Sequence, residues 1–456
     1  MLPCFSNKTL ENATKIILVP PKEFTTWLAA QDTVAQNWMR AMQFTGAVGG
    51  TCLMPSQTGQ LQQVIMGVSD DYRFWEVGSL SASLPAGDYY FDLAAERYNQ
   101  AAIAWGLGAY QFSKYKQPAR ESAKLVLIDK TDSAYIHNML ESIYLTRDLI
   151  NTPPNDLGPS HLSDYAKQLS DTYQARFNQI VGDELLKNNF PAIHAVGRAS
   201  DNAPRLIDIR WGNPAHRKVT LVGKGVCFDT GGLDLKSSSG MILMKKDMGG
   251  AANVLGLARM IMCAQLPICL RVLIPAVENV ISGNAYRPSD VIKSRKGITI
   301  EIGNTDAEGR VVLSDALTEA VSEKPDLLID MATLTGAARV ALGTELPAVF
   351  ANHDETIDAL LMHSKEQQDP VWRMPLFSAY RDSINSAIAD INNDSSDSYG
   401  GAITAGLFLK EFVPDTIPWL HFDLMAWNIK TRPGRPQGGE AMAIRALFAF
   451  LSKAPS

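Results

Sequence analysis

The chain has 456 residues, 46% of them hydrophobic and 20% charged, with 42 basic side chains against 48 acidic ones and a net charge of −6. That is the composition of a globular protein long enough for two domains with a sizeable core, and it offers no general basic face for nucleic acid. The five cysteines, Cys4, Cys52, Cys227, Cys263 and Cys269, show no CxxC spacing and read as reduced thiols of a cytosolic protein; no signal peptide is evident at the start, and no apolar run reaches membrane-spanning length.

Residues 1–131 alternate short strand-like runs (15–19, 63–68 and 124–129) with helical patterns at 35–44 and 94–115. A long helix is expected over 133–150, stopped by Pro153 and Pro154, because two prolines cannot continue a helix. The division this implies is an N-terminal α/β domain (1–131), a linker helix (132–152) and a larger C-terminal domain (153–456), which the family resemblance given below makes the catalytic one. In the last, strands are expected at 218–222, 270–276, 298–302, 326–330 and 419–424, with helices at 250–262, 311–321, 404–412 and 441–451. Strands alternating with crossover helices predict an α/β fold whose mixed, mainly parallel sheet is flanked by helices. Ligands of such sheets sit beyond the carboxyl ends of the strands.

Two acidic clusters fall at those places. The first holds Lys224, Asp229, Lys236 and Asp247 among Gly231, Gly232, Gly249 and Gly250. The second is Asn304-Thr305-Asp306-Ala307-Glu308-Gly309-Arg310. If extended, it would turn Asp306, Glu308 and Arg310 to one face. Carboxylates held that close repel unless a cation or proton stands between them. A two-metal centre follows, with Asp229 and Glu308 shared, Asp306 on one ion and Asp247 on the other. The oxygen-rich set suits Zn²⁺, Mn²⁺, Mg²⁺ or Co²⁺. Lys224 has two readings, an ammonium paired with carboxylate or a neutral amine ligand. Lys236 could hold a developing oxyanion, and Arg310 a small oxyanion or carboxylate.

Taken singly, each of these residues is more often structural: an Asp-x-Glu is usually a solvated face, and Asp247 suits a helix start. Their concentration in two post-strand segments is what argues for chemistry. Gly223-Lys224-Gly225 is not a phosphate-binding loop, and Asp229-Thr230-Gly231 lacks the second triplet that an aspartic protease needs. The seven histidines do not cluster at ligand spacing; His421 and Asp423 are expected to pair in the core, and Cys227 to be a small buried hydrophobe.

The segments around Lys224–Gly232, Asp247–Ala252 and Asn304–Arg310 resemble the leucyl (cytosol) aminopeptidase family of two-metal exopeptidases. Agreement extends to residues 147–153, 330–336 and 400–405. The resemblance implies a metal-dependent aminopeptidase that releases N-terminal, preferably apolar, residues through a hydroxide bridging two divalent ions (Mn²⁺ or Zn²⁺). By it, Lys224, Asp229, Asp247, Asp306 and Glu308 are metal ligands, Lys236 polarises the scissile carbonyl, and Arg310 holds a bicarbonate base. It also implies peptide substrates with a free N-terminus, a cytoplasmic homohexamer and no membrane partner. Met244, Thr333, Leu334 and Gly336 would line the pocket for the first side chain, and Met425 would narrow it where the family has a small residue. A second reading, an assembly that binds DNA, gains nothing from the net charge of −6. A third, another two-metal hydrolase such as a dipeptidase or cysteinylglycinase, is separated only by substrate profiling.

Overall fold

A computed structural model describes residues 2–118, 121, 123–129 and 131–453. It divides into two compact units: Met1–Tyr144 with Lys430–Gln437, and Leu145–Ile429 with Gly438–Ser456. Residues 430–437, assigned above with 153–456, thus pack in the first unit, where Arg435 stacks its guanidinium 4.2 Å over the Trp75 ring. A Cβ on Gly78 would meet the Gly434 nitrogen at 2.5 Å, so the two segments touch through backbone.

The first unit carries a six-stranded sheet in the order Phe5–Ser6, Lys124–Val126, Asp88–Phe91, Thr14–Val19, Leu61–Gly67, Thr51–Pro55. Its pairings are parallel except the last, in which Thr51–Pro55 runs against Leu61–Gly67. The helix expected over 94–115 is Ala95–Ala109 and ends where Tyr110 turns to ψ 132°. Thr33–Ala41 is started by Asp32, whose carboxylate accepts from Ala35 N at 2.8 Å.

The second unit is built on a nine-stranded mixed sheet. Its parallel centre sets Arg217–Gly223 between Ile268–Asn279 and Leu327–Ala332, with Trp419–Asp423 outside the latter. Antiparallel strands flank it: the hairpin Arg176–Val181 with Arg205–Trp211 on one side and Ala348–Ala351 on the other, where Trp372–Arg373 then pairs in parallel at the edge. The central strands are apolar runs because helices cover both faces; Leu327–Ala332 and Trp419–Asp423 are buried along their whole length. Gly249–Cys263 and Glu308–Ser322 supply much of that cover, the first nearly buried throughout. The last helix begins at Ile444 rather than 441, because Ala443 stands at φ +64°. Among the described residues no helix is long and apolar enough to cross a membrane.

One strand absent from the sequence reading matters for the site. Gly225–Asp229 leaves the end of Arg217–Gly223 and pairs in parallel with the far end of Ile268–Asn279, with a register shift between Val226 and Phe228. It delivers Asp229 beside Asn279, beyond the body of the sheet.

Candidate metal centre

Lys224 follows the central strand, and its backbone is fixed on both sides: its N–H donates to Met331 O at 3.0 Å and its carbonyl accepts from Ala251 N at 2.9 Å. The side chain, 3% exposed, places Nζ 2.8 Å from Asp247 Oδ2, 2.8 Å from Glu308 Oε1 and 3.1 Å from Thr333 O. The room for it is provided by Gly309, where a Cβ would meet Lys224 Cε at 2.6 Å. Asp247 lies in the short turn Met244–Met248, and its Oδ1 accepts from Thr333 Oγ1 at 2.7 Å.

Asp229 Oδ1 accepts from Gly231 N at 2.9 Å and Asn279 Nδ2 at 2.8 Å, while its Oδ2 lies 2.9 Å from Lys236 Nζ. The turn that brings Lys236 back requires glycine: Gly231 and Gly232 have φ +89° and +64°, and a Cβ on Gly231 would meet Asp234 O at 2.4 Å. Lys236 also pairs with Asp306. Asp306 sits in a turn whose N–H is held by Asn304 Oδ1 at 2.8 Å. The preceding carbonyl, Thr305 O, accepts from Tyr286 Oη at 2.6 Å and Asn279 Nδ2 at 3.0 Å.

The carboxylates of Asp229, Asp306 and Glu308 each offer an oxygen within 4.8 Å of the other two. The convergence does not arise from an extended segment, as expected above. Ala307 (φ −108°, ψ 41°) caps a helix whose first residue is Glu308. Arg310 is therefore on the first turn of that helix rather than on a shared strand face. It is 8% exposed, donates from Nη1 to Asn393 O at 2.9 Å, and keeps a buried Nε that makes no hydrogen bond among the described residues.

The electrostatics favour a cation. Burial, then Asp229, pushes the Glu308 carboxyl up to about 8, against the pull of Lys224. Burial, then Asp247, raises Asp229 to about 6. Burial also works against the charge on Asp247, but Lys224 and Lys246 outweigh it and hold that carboxyl below its ordinary value. Lys224 and Lys236 resist burial for the converse reason: the carboxylates around them hold both above the usual lysine value. Glu308 Oε2 is buried and accepts no hydrogen bond among the described residues. Two neighbouring carboxyls whose charge burial disfavours, one with an oxygen that accepts no hydrogen bond among the described residues, fit compensation by divalent cations.

All seven residues singled out in the sequence thus belong to one neighbourhood. His421 does not pair with Asp423. In the parallel register Asp330 stands directly opposite His421, and its Oδ1 lies 2.6 Å from Nδ1, whereas two residues on one strand lie too far apart along it. Asp423 instead accepts from Leu334 N at 3.0 Å, Thr335 N at 3.1 Å and Thr335 Oγ1 at 2.5 Å. Cys227 is buried, as expected of a small hydrophobe.

Four residues of the neighbourhood were not singled out. Asn279 binds Asp229 and Thr305 at once, and its place at the end of a strand was the available signal. Asn393 holds Gly303 N, Asn304 O and Ala307 O, and Tyr286 holds Thr305 O; both are remote in sequence from what they position. Lys246, 2% exposed, is buried beside Asp247.

Residues 144–448 match the description "Cytosol aminopeptidase family, catalytic domain", and residues 15–128 match "M17 aminopeptidase, N-terminal domain". A probable cytosol aminopeptidase of Rhodopirellula baltica is 41% identical over 69% of this chain, which spans 62% of that protein's length. One from Clostridium perfringens is 39% identical over 76% of this chain and 74% of its own. Among solved structures, a cytosol aminopeptidase from Coxiella burnetii superposes with a TM-score of 0.95 at 52% identity, over 98% of each chain. The bottromycin maturation enzyme BotP, in complex with Mn, superposes at 0.87 with 32% identity, over 97% of this chain and 99% of its own.

Proposed function

The chain belongs to the cytosol aminopeptidase family, and from that premise we propose that it is a metal-dependent aminopeptidase releasing residues from peptides with a free N-terminus. The observation that carries the reading is the convergence of Lys224, Asp247 and Glu308 with Asp229, Asp306 and Lys236, in which Glu308 Oε2 accepts no hydrogen bond among the described residues.

In this reading Asp229, Glu308, Lys224, Asp247 and Asp306 would together hold two divalent ions. Held there, the ions would supply a hydroxide nucleophile near neutral pH and a Lewis acid for the carbonyl. Lys224 would lose its proton on their arrival and serve as an amine ligand. Lys236 keeps its proton under the field of Asp229 and Asp306, and donates to the oxyanion that forms on the scissile carbonyl. Arg310 presents its free Nε to a small oxyanion such as bicarbonate, the general base of this reading. Mn²⁺ or Zn²⁺ suits the donor set, and a structural relative carries Mn in its printed description. Met244, Leu334 and Met425 give the first side chain apolar walls, so apolar residues are accepted.

The same reading divides the chain into an N-terminal domain (1–131), a linker helix (132–152) and a catalytic domain (153–456), in a cytoplasmic homohexamer. Glu308→Gln tests the centre: the variant should fold, bind less Mn²⁺ by calorimetry and lose hydrolysis of a leucine amide. Unaltered metal binding and turnover in that variant would refute the assignment.

A further inference from the structure

The wall beside the carboxylates contains two cations that make no ion pair among the described residues. The turn Met244–Met248, the loop Thr333–Gly336 and Ala426 meet there: Thr333 bonds Asp247, and a Cβ on Gly249 would meet Ala426 Cβ at 2.3 Å and Thr333 Cγ2 at 3.1 Å. Lys246 lies in that turn, 2% exposed, and among the described residues its ammonium has neither a hydrogen bond nor an ion pair. Arg339, half-buried on the helix Gly336–Leu342, is likewise without a side-chain partner. Its Nη2 covers Gly336 and would stand 3.6 Å from a Cβ there.

Burial first, with Arg339 and Lys224 adding to it, lowers the Lys246 ammonium to about 8 against the fields of Asp247 and Asp423, and both of those acids have other partners. Asp247 serves Lys224 and Thr333. Asp423 accepts three hydrogen bonds from Leu334 and Thr335. Enclosing an ammonium that makes no ion pair among the described residues is costly, and the field of a second cation adds to the cost.

We propose that Lys246 and Arg339 form the end of the pocket for the first side chain and select peptides that begin with glutamate or aspartate. The inference rests on the aminopeptidase reading and adds a charged preference to its apolar walls. Met244 and Leu334 would line the methylenes of such a side chain, and its carboxylate would meet the two cations. Neither lysine nor arginine as a first residue is compatible with that charge.

The test compares aminomethylcoumarin amides of Glu, Gln, Asp, Leu and Lys with the Mn²⁺-loaded full chain. Glutamine has the shape of glutamate without its charge, so the Glu/Gln ratio of kcat/KM isolates the effect. A charge-assisted contact predicts a ratio of about tenfold or more, and Lys246→Met and Arg339→Leu should each bring it down towards one. Should Lys246→Met fail to fold, Arg339→Leu, at a half-buried position, gives the same readout. Equal rates for Glu and Gln amides, or a ratio that survives both substitutions, would overturn the inference while the aminopeptidase reading stood. Hydrolysis of no amide at all would remove that reading and this inference with it.

Discussion

At the scale of single residues, the centre depends on second partners as much as on its carboxylates. Asn279 fixes Asp229 Oδ1 at 2.8 Å and the Thr305 carbonyl at 3.0 Å, so it aims Asp229 and anchors the turn that carries Asp306. Removing such an orienting partner commonly weakens metal affinity or activity by about 10–100-fold. Asn279→Ala is therefore expected to bind Mn²⁺ about that much more weakly in a calorimetric titration; an unchanged affinity would deny it the role. The charged residues of the site were legible because carboxylates and lysines gathered in glycine-bearing segments after strands have few structural explanations. Asn279, Tyr286 and Asn393 were not, since a neutral side chain that positions a neighbour is identified only by what it touches. Lys246 was hidden for another reason: whether a lysine is paired is a property of three dimensions. The expectation that Asp306, Glu308 and Arg310 share a face failed on a local fact, that Ala307 ends the turn and Glu308 opens a helix.

At the scale of elements, alternation of apolar runs located the central strands and covering helices, because parallel strands buried on both faces carry the plainest pattern. The hairpin Arg176–Val181 with Arg205–Trp211 escaped, its first strand being half exposed and rich in polar side chains. Gly225–Asp229 escaped because its glycine reads as a turn. Pairing between elements also sets a pH dependence. Burial opposes the charge on His421, but Asp330 across the strand register outweighs it and raises the imidazole above 6.5. A group whose folded pKa is raised adds stability in full below its unfolded value and loses it as pH climbs through the folded one. The gap in urea midpoint between the native chain and Asp330→Asn should thus be widest below about pH 6.5 and shrink as pH rises above it; a gap that widened would contradict the sign. Arg147 and Glu440, 0% and 5% exposed and 3.0 Å apart, tie the helix Ser133–Asn151 to the segment after Gly439. Arg147→Met would strand that carboxylate, and a loss of about 3–5 kcal/mol is expected in denaturant unfolding.

At the scale of the whole molecule, alternating strands and helices made two α/β units legible, but the units divide at Tyr144 and Leu145, inside the helix Ser133–Asn151, rather than at the proline pair after it, and Lys430–Gln437 belongs to the first unit with no composition shift to announce it. The hexamer proposed for the chain predicts a mass near six times 49.8 kDa in light scattering; a monomer would set that assembly aside without touching the chemistry. The central claim is that this centre cleaves the first peptide bond with bound divalent ions. The direct measurement is hydrolysis of an amino-acid aminomethylcoumarin amide, over a panel of first residues, after metal stripping and again after adding Mn²⁺ or Zn²⁺, with N-acetylated amides alongside. The account predicts that activity vanishes on stripping, returns with metal and requires the free amine. Equal turnover with and without metal, or equal cleavage of the acetylated amides, would contradict it.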